Sequence, residues 1–191
     1  MINIDWTILK GIQDLFRCDF LDEFFRRFTQ LGEVGIIWIV ISLCLIATQK
    51  YRRLGVLCII GLVTELILGN GLLKHLVNRP RPLYDENKAM AAKYLGESFQ
   101  WPMQLKIKDS SFPSGHAFSS FIVATLIFIK EKKIGIPALC LAALLSFSRL
   151  YLCVHFPSDV FAGMILGIIV AIVIWQIDKK VAERQSLSNS K

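Results

Sequence analysis

A chain of 191 residues that is 54% hydrophobic, with a mean hydropathy of +0.52 and 19% charged residues, is too apolar for a soluble domain, which carries about 25% charged residues. The formal net charge of +7 would suit an anionic partner, but the basic residues gather in short clusters between apolar runs, which sets nucleic acid aside. No Pro-, Ser- or Gly-rich linker divides the chain, so residues 1–182 read as one membrane-embedded domain and residues 183–191 as a disordered cytoplasmic tail.

In residues 1–33, Leu9, Ile12, Phe16, Phe20, Phe24 and Phe28 recur at helical spacing opposite Lys10, Gln13, Asp14, Arg17, Asp22, Glu23, Arg26 and Arg27. The pattern predicts one or two amphipathic helices lying in the membrane interface, and fits helices packed over a bundle equally well. The stretch has no compact apolar core ahead of a small-residue cleavage site, so it does not read as a signal peptide. Five charge-poor intervals follow in residues 34–182: Val34–Gln49, Leu54–Leu73 (broken by Glu65), Ser110–Ile129, Ile134–Ser148 and Val160–Ile177. At about 17–25 residues per spanning helix, with snorkelling at the ends of the shorter ones, they predict an all-α, polytopic membrane bundle of about five transmembrane helices. The five cysteines form no CxxC and fall mostly inside apolar runs, so they read as free, buried, small hydrophobes.

Lys50, Arg52 and Arg53 separate the first two intervals; Lys130, Lys132 and Lys133 separate the third and fourth; Lys179, Lys180 and Arg184 follow the fifth. If successive spans alternate in direction, all three clusters share one face, which the positive-inside rule makes cytoplasmic, along with the C-terminus. The segments 1–33, Asn78–Asp109 and Leu152–Asp159 then share the outer face. Three polar clusters meet there: Lys74 with Arg81-Pro82, Pro113-Ser114-Gly115-His116, and Ser148-Arg149 with His155 and Asp159.

Ionisable side chains at membrane depth are costly and mark function. Three cations with few acids beside them suit a phosphate dianion, Arg through forked donors and Lys as a point charge. Ser114 is placed to cap the helix that follows, and Gly115 lets backbone N–H groups approach an anion. His116 is positioned to give a proton to a leaving oxygen. Asp159, near a helix start behind Pro157, is placed to accept a hydrogen bond from one nitrogen of His155 and leave the other free as a nucleophile. Glu65, nine residues before Lys74, falls on the opposite face of an α-helix, and His75 points away from Lys74. There is no HExxH, P-loop, GxSxG or pair of metal-binding acids within a span.

Lys74-x6-Arg81-Pro82, Pro113-Ser114-Gly115-His116 and Ser148-Arg149-x5-His155-x3-Asp159 together resemble the three-part signature of the type 2 phosphatidic acid phosphatase superfamily. The resemblance implies that His155 attacks phosphorus, Asp159 orients it and His116 protonates the leaving lipid oxygen. It assigns Lys74, Arg81, Ser114, Gly115 and Arg149 to the phosphoryl oxygens, and it implies no cofactor and no metal. Cys153 departs from the glycine that many relatives carry before the histidine. Five apolar runs set this chain apart from the family's soluble haloperoxidases. Its size and outward-facing site look most like bacterial undecaprenyl diphosphate phosphatases of the cytoplasmic membrane, with phosphatidylglycerophosphate and phosphatidic acid as other lipid substrates. Phosphotransfer to an alcohol and non-enzymatic transport of a lipid phosphate are the remaining readings. No residue pattern sets an oligomeric state.

Overall fold

The computed structural model describes residues 2–103 and 109–189, which form helices and loops with no strand among them. The N-terminal stretch folds as α1 (Ile2–Phe16) and α2 (Asp19–Phe28), and α2 runs through a 3-10 segment, Thr29–Gly35, into α3 (Ile36–Ala47). After a tight turn, α4 (Arg52–Glu65) continues through a π-wound stretch, Leu66–Leu73, into the short α5 (Lys74–Val77). The long outer connection carries α6 (Lys88–Leu95); residues 104–108 of that connection lie outside the described residues, as do 190 and 191 of the tail. Then come α7 (Gly115–Lys130), α8 (Lys132–Tyr151) and α9 (Pro157–Asn189).

Four stretches are long and apolar enough to cross a membrane: Asp19–Ala47, Arg52–Val77, Lys132–Tyr151 and Pro157–Ser188. The fifth expected span, α7, is apolar but only 16 residues long. It is the axis of the fold. Every residue from Ala117 to Ile127 is buried, because α3, α4, α8 and α9 surround it. A helix that is apolar on all sides is stable only in such an enclosure, and one shielded by its neighbours need not match the lipid thickness. Phe118, Ile122 and Leu126 on α7 form the centre of the main core, with Trp38, Leu57, Leu145 and Ala171 from the surrounding helices.

Small residues set how closely the neighbours approach α7. A Cβ on Gly163 would lie 2.6 Å from the Ser114 carbonyl, and one on Gly167 would lie 2.7 Å from the Phe118 carbonyl. The two glycines are one helical turn apart on α9, the spacing that lets helix backbones touch in a membrane. A hydrogen bond of 3.1 Å from the Ser114 N–H to the Asp159 carbonyl ties the starts of α7 and α9 together. At the far end of the bundle, Lys50, Arg53, Lys130, Trp175 and Asp178 line one small cavity, and Arg53 pairs with Asp178 at 2.8 Å. The basic turns therefore gather at the end of α7 remote from His116.

Several expectations change at the helix ends. Within Asp19–Ala47, the regular helix of the first expected interval, α3, begins at Ile36, because Val34 and Gly35 take left-handed φ values of 52° and 70° and interrupt the helix. That of the third begins at Gly115, because residues 110–113 form a loop with a cis Phe112–Pro113 bond. Residues 183–189 continue α9 instead of fraying; Ala182, Glu183, Arg184 and Gln185 are good helix formers and extend a helix already nucleated. Cys18, Cys44 and Cys140 are exposed, and only Cys58 and Cys153 are buried; all five are free. An apolar run in a membrane helix has a lipid-facing side, so it does not imply burial in protein.

Replacing Gly167 by Val should overpack the α7–α9 contact. A cost of about 1–3 kcal/mol, at roughly 2–4 °C per kcal/mol for a chain of this size, lowers the thermal unfolding midpoint in detergent by about 2–12 °C. An unchanged midpoint would mean that the two backbones do not meet there.

Candidate active site

Six of the eight residues singled out in the sequence, Lys74, Arg81, Gly115, His116, Arg149 and His155, line one cavity of about 460 Å³. Its remaining walls come from the 3-10 segment (Gly32, Glu33, Val34 and Gly35), from α4 and its π-wound continuation (Glu65, Leu66, Asn70), and from Asp109 and Ser119. Ser114 and Asp159 are fully buried just behind this surface. His75 is exposed and lies outside it.

His155 sits in the turn between α8 and α9 and is 2% exposed. Its Nδ1 lies 2.7 Å from the Ser111 carbonyl, and its Nε2 lies 3.0 Å from Arg81 Nη1. A carbonyl only accepts and a guanidinium only donates, so these partners assign the proton to Nδ1 and leave Nε2 unprotonated, its lone pair accepting from Arg81. The expected hydrogen bond from His155 to Asp159 is not formed: Nδ1 and Asp159 Oδ2 are 3.9 Å apart, beyond hydrogen-bond range. Asp159 instead accepts the Phe156 N–H at 2.8 Å through Oδ2 and an Arg79 N–H at 2.6 Å through Oδ1. It braces the turn, and the Ser111 carbonyl orients the ring. Burial first, then the charges of Arg81 and Arg149 and the neighbouring His116, hold the His155 imidazole well below the usual 6.5. The turn depends on Cys153 at a φ of 54°, a left-handed conformation that favours glycine. That conformation gives a physical reason for the glycine that the family resemblance implies at this place.

The start of α7 differs from expectation in one respect. Ser114 does not cap the helix with its side chain. Its Oγ and the Nε of Arg149 are buried side-chain polar atoms without a hydrogen-bond partner among the described residues. Buried polar groups are normally paired, so these two donors suit an anion in the cavity. Arg149 Nη1 donates to Thr29 Oγ1 at 2.6 Å, and His116 Nε2 donates to the Thr29 carbonyl at 3.1 Å. Thr29, absent from the sequence reading, thus fixes both side chains and leaves His116 Nδ1 as the unprotonated nitrogen of the neutral ring.

The cations have more acidic company than the sequence suggested. Asp109 Oδ2 is 2.9 Å from Lys74 Nζ, and its two oxygens accept from Arg81 Nε and Nη2 at 2.8 and 3.0 Å. Burial pushes the Asp109 carboxyl up, but Arg81 and then Lys74 outweigh this and hold it below the ordinary carboxylate range. Arg81 Nη1 also donates to the Val154 carbonyl at 2.9 Å. Glu65, expected on the face opposite Lys74, lines the same cavity. Nine residues are two and a half turns of an α-helix, but about two turns where the helix is π-wound, as it is over Leu66–Leu73. The same winding sets Asn70 above Glu65, with Nδ2 3.1 Å from the carboxylate.

Two outcomes follow from this geometry. A Cβ on Gly32 would lie 2.5 Å from His116 Cδ2, so Gly32→Ala must displace the imidazole from the Thr29 carbonyl. With His116 in the general-acid role that the family resemblance implies, turnover is expected to fall by about 10²-fold, while the thermal midpoint changes little; wild-type turnover would show that the ring has room to yield. Nitrogen-15 NMR of the three histidines should find His155 still neutral and Nδ1-protonated at pH 6, where a free imidazole is mostly charged. Protonation of His155 near pH 6.5 would contradict the buried, cation-flanked setting.

Comparison with known proteins agrees with this architecture. The family model of the PAP2 superfamily matches residues 53–183. The chain is 32% identical over 143 residues to an undecaprenyl-diphosphatase of Sulfolobus acidocaldarius, covering 74% of this chain and 64% of that protein, so it spans just under two thirds of that relative. The crystal structure of LpxE from Aquifex aeolicus superposes with a TM-score of 0.72 at 29% identity, over 88% of this chain and 93% of that one. A PAP2-type phosphatidylglycerolphosphate phosphatase from Bacillus subtilis gives 0.68 at 25% identity, over 94% and 86%. The chain belongs to the PAP2 superfamily, and its long apolar helices are those of a membrane protein.

Proposed function

We propose that this protein hydrolyses a lipid phosphate or diphosphate through a phosphohistidine, with undecaprenyl diphosphate as the first candidate substrate. One observation carries the reading: an unprotonated His155 Nε2, a second histidine and three cations share a cavity backed by two buried donors, Ser114 Oγ and Arg149 Nε, that have no partner among the described residues. Lys74, Arg81 and Arg149 supply the positive charge that phosphoryl transfer draws on.

In the first step His155 Nε2 attacks phosphorus and the P–O bond to the leaving group breaks. The departing oxygen takes a proton from His116 Nδ1, which requires His116 to enter the step as an imidazolium. The Ser111 carbonyl keeps the Nδ1–H of His155 in place while positive charge develops on the ring. In the second step His116, now neutral, takes a proton from water. The hydroxide attacks phosphorus, the P–N bond breaks, and the electron pair returns to His155. Protons and charge balance over the cycle, and no metal enters either step.

The undecaprenyl-diphosphatase relative supports a polyprenyl diphosphate. The structural likeness to a phosphatidylglycerolphosphate phosphatase supports a glycerophospholipid as the second reading. The basic turns at the far end of the bundle support a cytoplasmic location for that end, by the positive-inside rule, with the cavity on the outer side.

Purified protein should release phosphate from undecaprenyl diphosphate faster than from phosphatidylglycerophosphate or phosphatidic acid, and chelator should leave the rate unchanged. His155→Ala should lower it by roughly 10³-fold or more, and His116→Ala by about 10²–10⁴-fold. Full activity in His155→Ala would remove the proposed nucleophile, and a preference for the glycerol lipids would reverse the substrate order. Added alcohol acceptor should not divert phosphate; transfer exceeding hydrolysis would make the protein a phosphotransferase.

A further inference from the structure

Asp5 is an acidic residue on the first helix, far in sequence from the site, yet its side chain is buried (3% exposed). It reaches the start of α9. Its Oδ1 accepts the Ser158 N–H at 2.9 Å and its Oδ2 accepts the Ser158 hydroxyl at 2.7 Å. The same Oδ2 accepts Arg79 Nη2 at 2.8 Å, while the other arm of that guanidinium, Nη1, donates to Asp159 Oδ1 at 2.6 Å and to Ser158 Oγ at 2.7 Å. One guanidinium therefore joins two buried carboxylates, one on α1 and one on α9. Arg is suited to this because its planar fork holds two acceptors at fixed angles, which an ammonium does not.

Arg79 also holds the residue that orients the nucleophile. The Arg79 carbonyl accepts the Ser111 N–H at 2.8 Å, and its own N–H donates to Ser110 Oγ at 3.0 Å. Ser111 in turn offers its carbonyl to His155 Nδ1. A third contact is apolar. Trp6 of α1 packs edge-on against Phe156, the residue after His155, at 5.3 Å between ring centroids, and the Arg79 guanidinium lies 4.1 Å from the centroid of the same ring. Trp6 and Leu9 are fully buried against Phe156 and Ala91. Beside the contacts that Arg81 and the end of α8 make with the His155 turn, a second set of fixed points, through Asp159, Ser111 and Phe156, thus leads back to Arg79 or to α1.

We propose that Asp5 and Arg79 are positioning residues of the active site, and that the N-terminal helix α1 serves as a buttress whose docking sets the geometry of Asp159, Ser111 and hence His155. The proposal rests on the reading of His155 as nucleophile. It gives the N-terminal segment a role in the chemical step, distinct from anchoring in the interface. Among the described residues, the hydrogen bonds and ion pairs of Asp5 go to Arg79 and Ser158, neither of which lines the cavity, so its effect passes through them. In the cavity, substrate meets the same cations whether or not α1 is correctly seated, and the loss should fall on turnover and leave substrate affinity in place.

The test compares full-length wild type with Asp5→Asn, Arg79→Lys and Leu9→Ala in detergent, using whichever lipid phosphate the wild type hydrolyses. Asp5→Asn keeps the shape and removes the charge, and Arg79→Lys reaches only one of the two carboxylates. Both should lower kcat by about 10–100-fold, the range seen when a supporting partner of a site is removed, with KM little changed and formation of the phosphohistidine slowed in proportion. Leu9→Ala is the control for destabilised docking without loss of the ion pairs; assayed well below its unfolding midpoint, it should keep most of its turnover. A kcat loss in Asp5→Asn that merely tracks the fall in midpoint, as in Leu9→Ala, would reduce Asp5 to a structural residue and overturn the proposal. Equal loss in KM would do the same. The nitrogen-15 and proton shifts of His155 Nδ1–H supply a readout independent of substrate: they should move in Asp5→Asn and Arg79→Lys, and wild-type shifts in both would overturn the relay even in a protein that hydrolyses lipid phosphates. If wild type hydrolyses none of the lipids, the functional reading fails, and those shifts alone still decide whether α1 sets the histidine.

Discussion

Arg81 is the interaction on which the site depends. Its guanidinium is almost wholly buried and reaches two separate segments: the outer connection, through the carboxylate of Asp109, and the turn before α9, through the carbonyl of Val154 and Nε2 of His155. A buried charge is tolerable only when it is paired and hydrogen-bonded on most sides, and those pairings fix where the segments lie. The hydrogen bond to Nε2 also settles a chemical question, because a donor there keeps the lone pair on the nitrogen that faces the cavity. Scaffold and reactivity thus share one side chain.

Regular helix supplies position and several of the site's side chains, and irregular backbone shapes the space between them. The enclosed α7 and the glycine contact with α9 place the Ser114–His116 stretch beside Asp159 to within a hydrogen bond. Around that fixed point, three of the stretches that shape the cavity depart from α-helical geometry. The 3-10 segment brings Thr29 and Gly32 against His116, the π-wound stretch turns Glu65 towards Lys74, and the left-handed Cys153 closes the turn ahead of His155. Each departure costs backbone or hydrogen-bond energy, and the close packing of the core is what holds them.

These departures also decide what could be read from the sequence. The helical bundle and the convergence of Lys74, Arg81, His116, Arg149 and His155 were legible because polar residues at the ends of apolar runs must meet at one membrane face. Glu65 was misplaced because a 3.6-residue period was assumed through a stretch that does not keep it. The partner of His155 was missed because a backbone carbonyl, that of Ser111, has no side-chain signature. Thr29, Asp5 and Arg79 were invisible for a different reason. The contacts of Thr29 and Asp5, and the one between Asp5 and Arg79, exist only once α1 and α2 dock on the bundle, and the periodicity of residues 1–33 fitted an interfacial helix as well as a packed one. Asp5, Trp6, Leu9 and Gln13 form the buried face of α1, while Phe16, Phe20 and Phe24 of the expected apolar stripe stay exposed.

Asp109 shows how a cationic pocket can exist before its ligand arrives. Lys74, Arg81 and Arg149 carry like charges around one small cavity, an arrangement that opposes folding unless a counter-charge is present. The Asp109 carboxylate meets Lys74 and Arg81 with the two-oxygen geometry that a phosphoryl group would present, so it lowers the cost of assembling them. On the proposed reading, substrate replaces or shares that carboxylate, and the exchange favours phosphate for two reasons. A phosphate monoester carries close to two negative charges at neutral pH, against one on the carboxylate. It also has a third oxygen, able to reach Ser114 Oγ and Arg149 Nε, the two donors that Asp109 does not satisfy. Preorganisation of this kind lets the cations wait in bonding geometry, and the reorganisation is then confined to one loop-borne side chain instead of three buried charges.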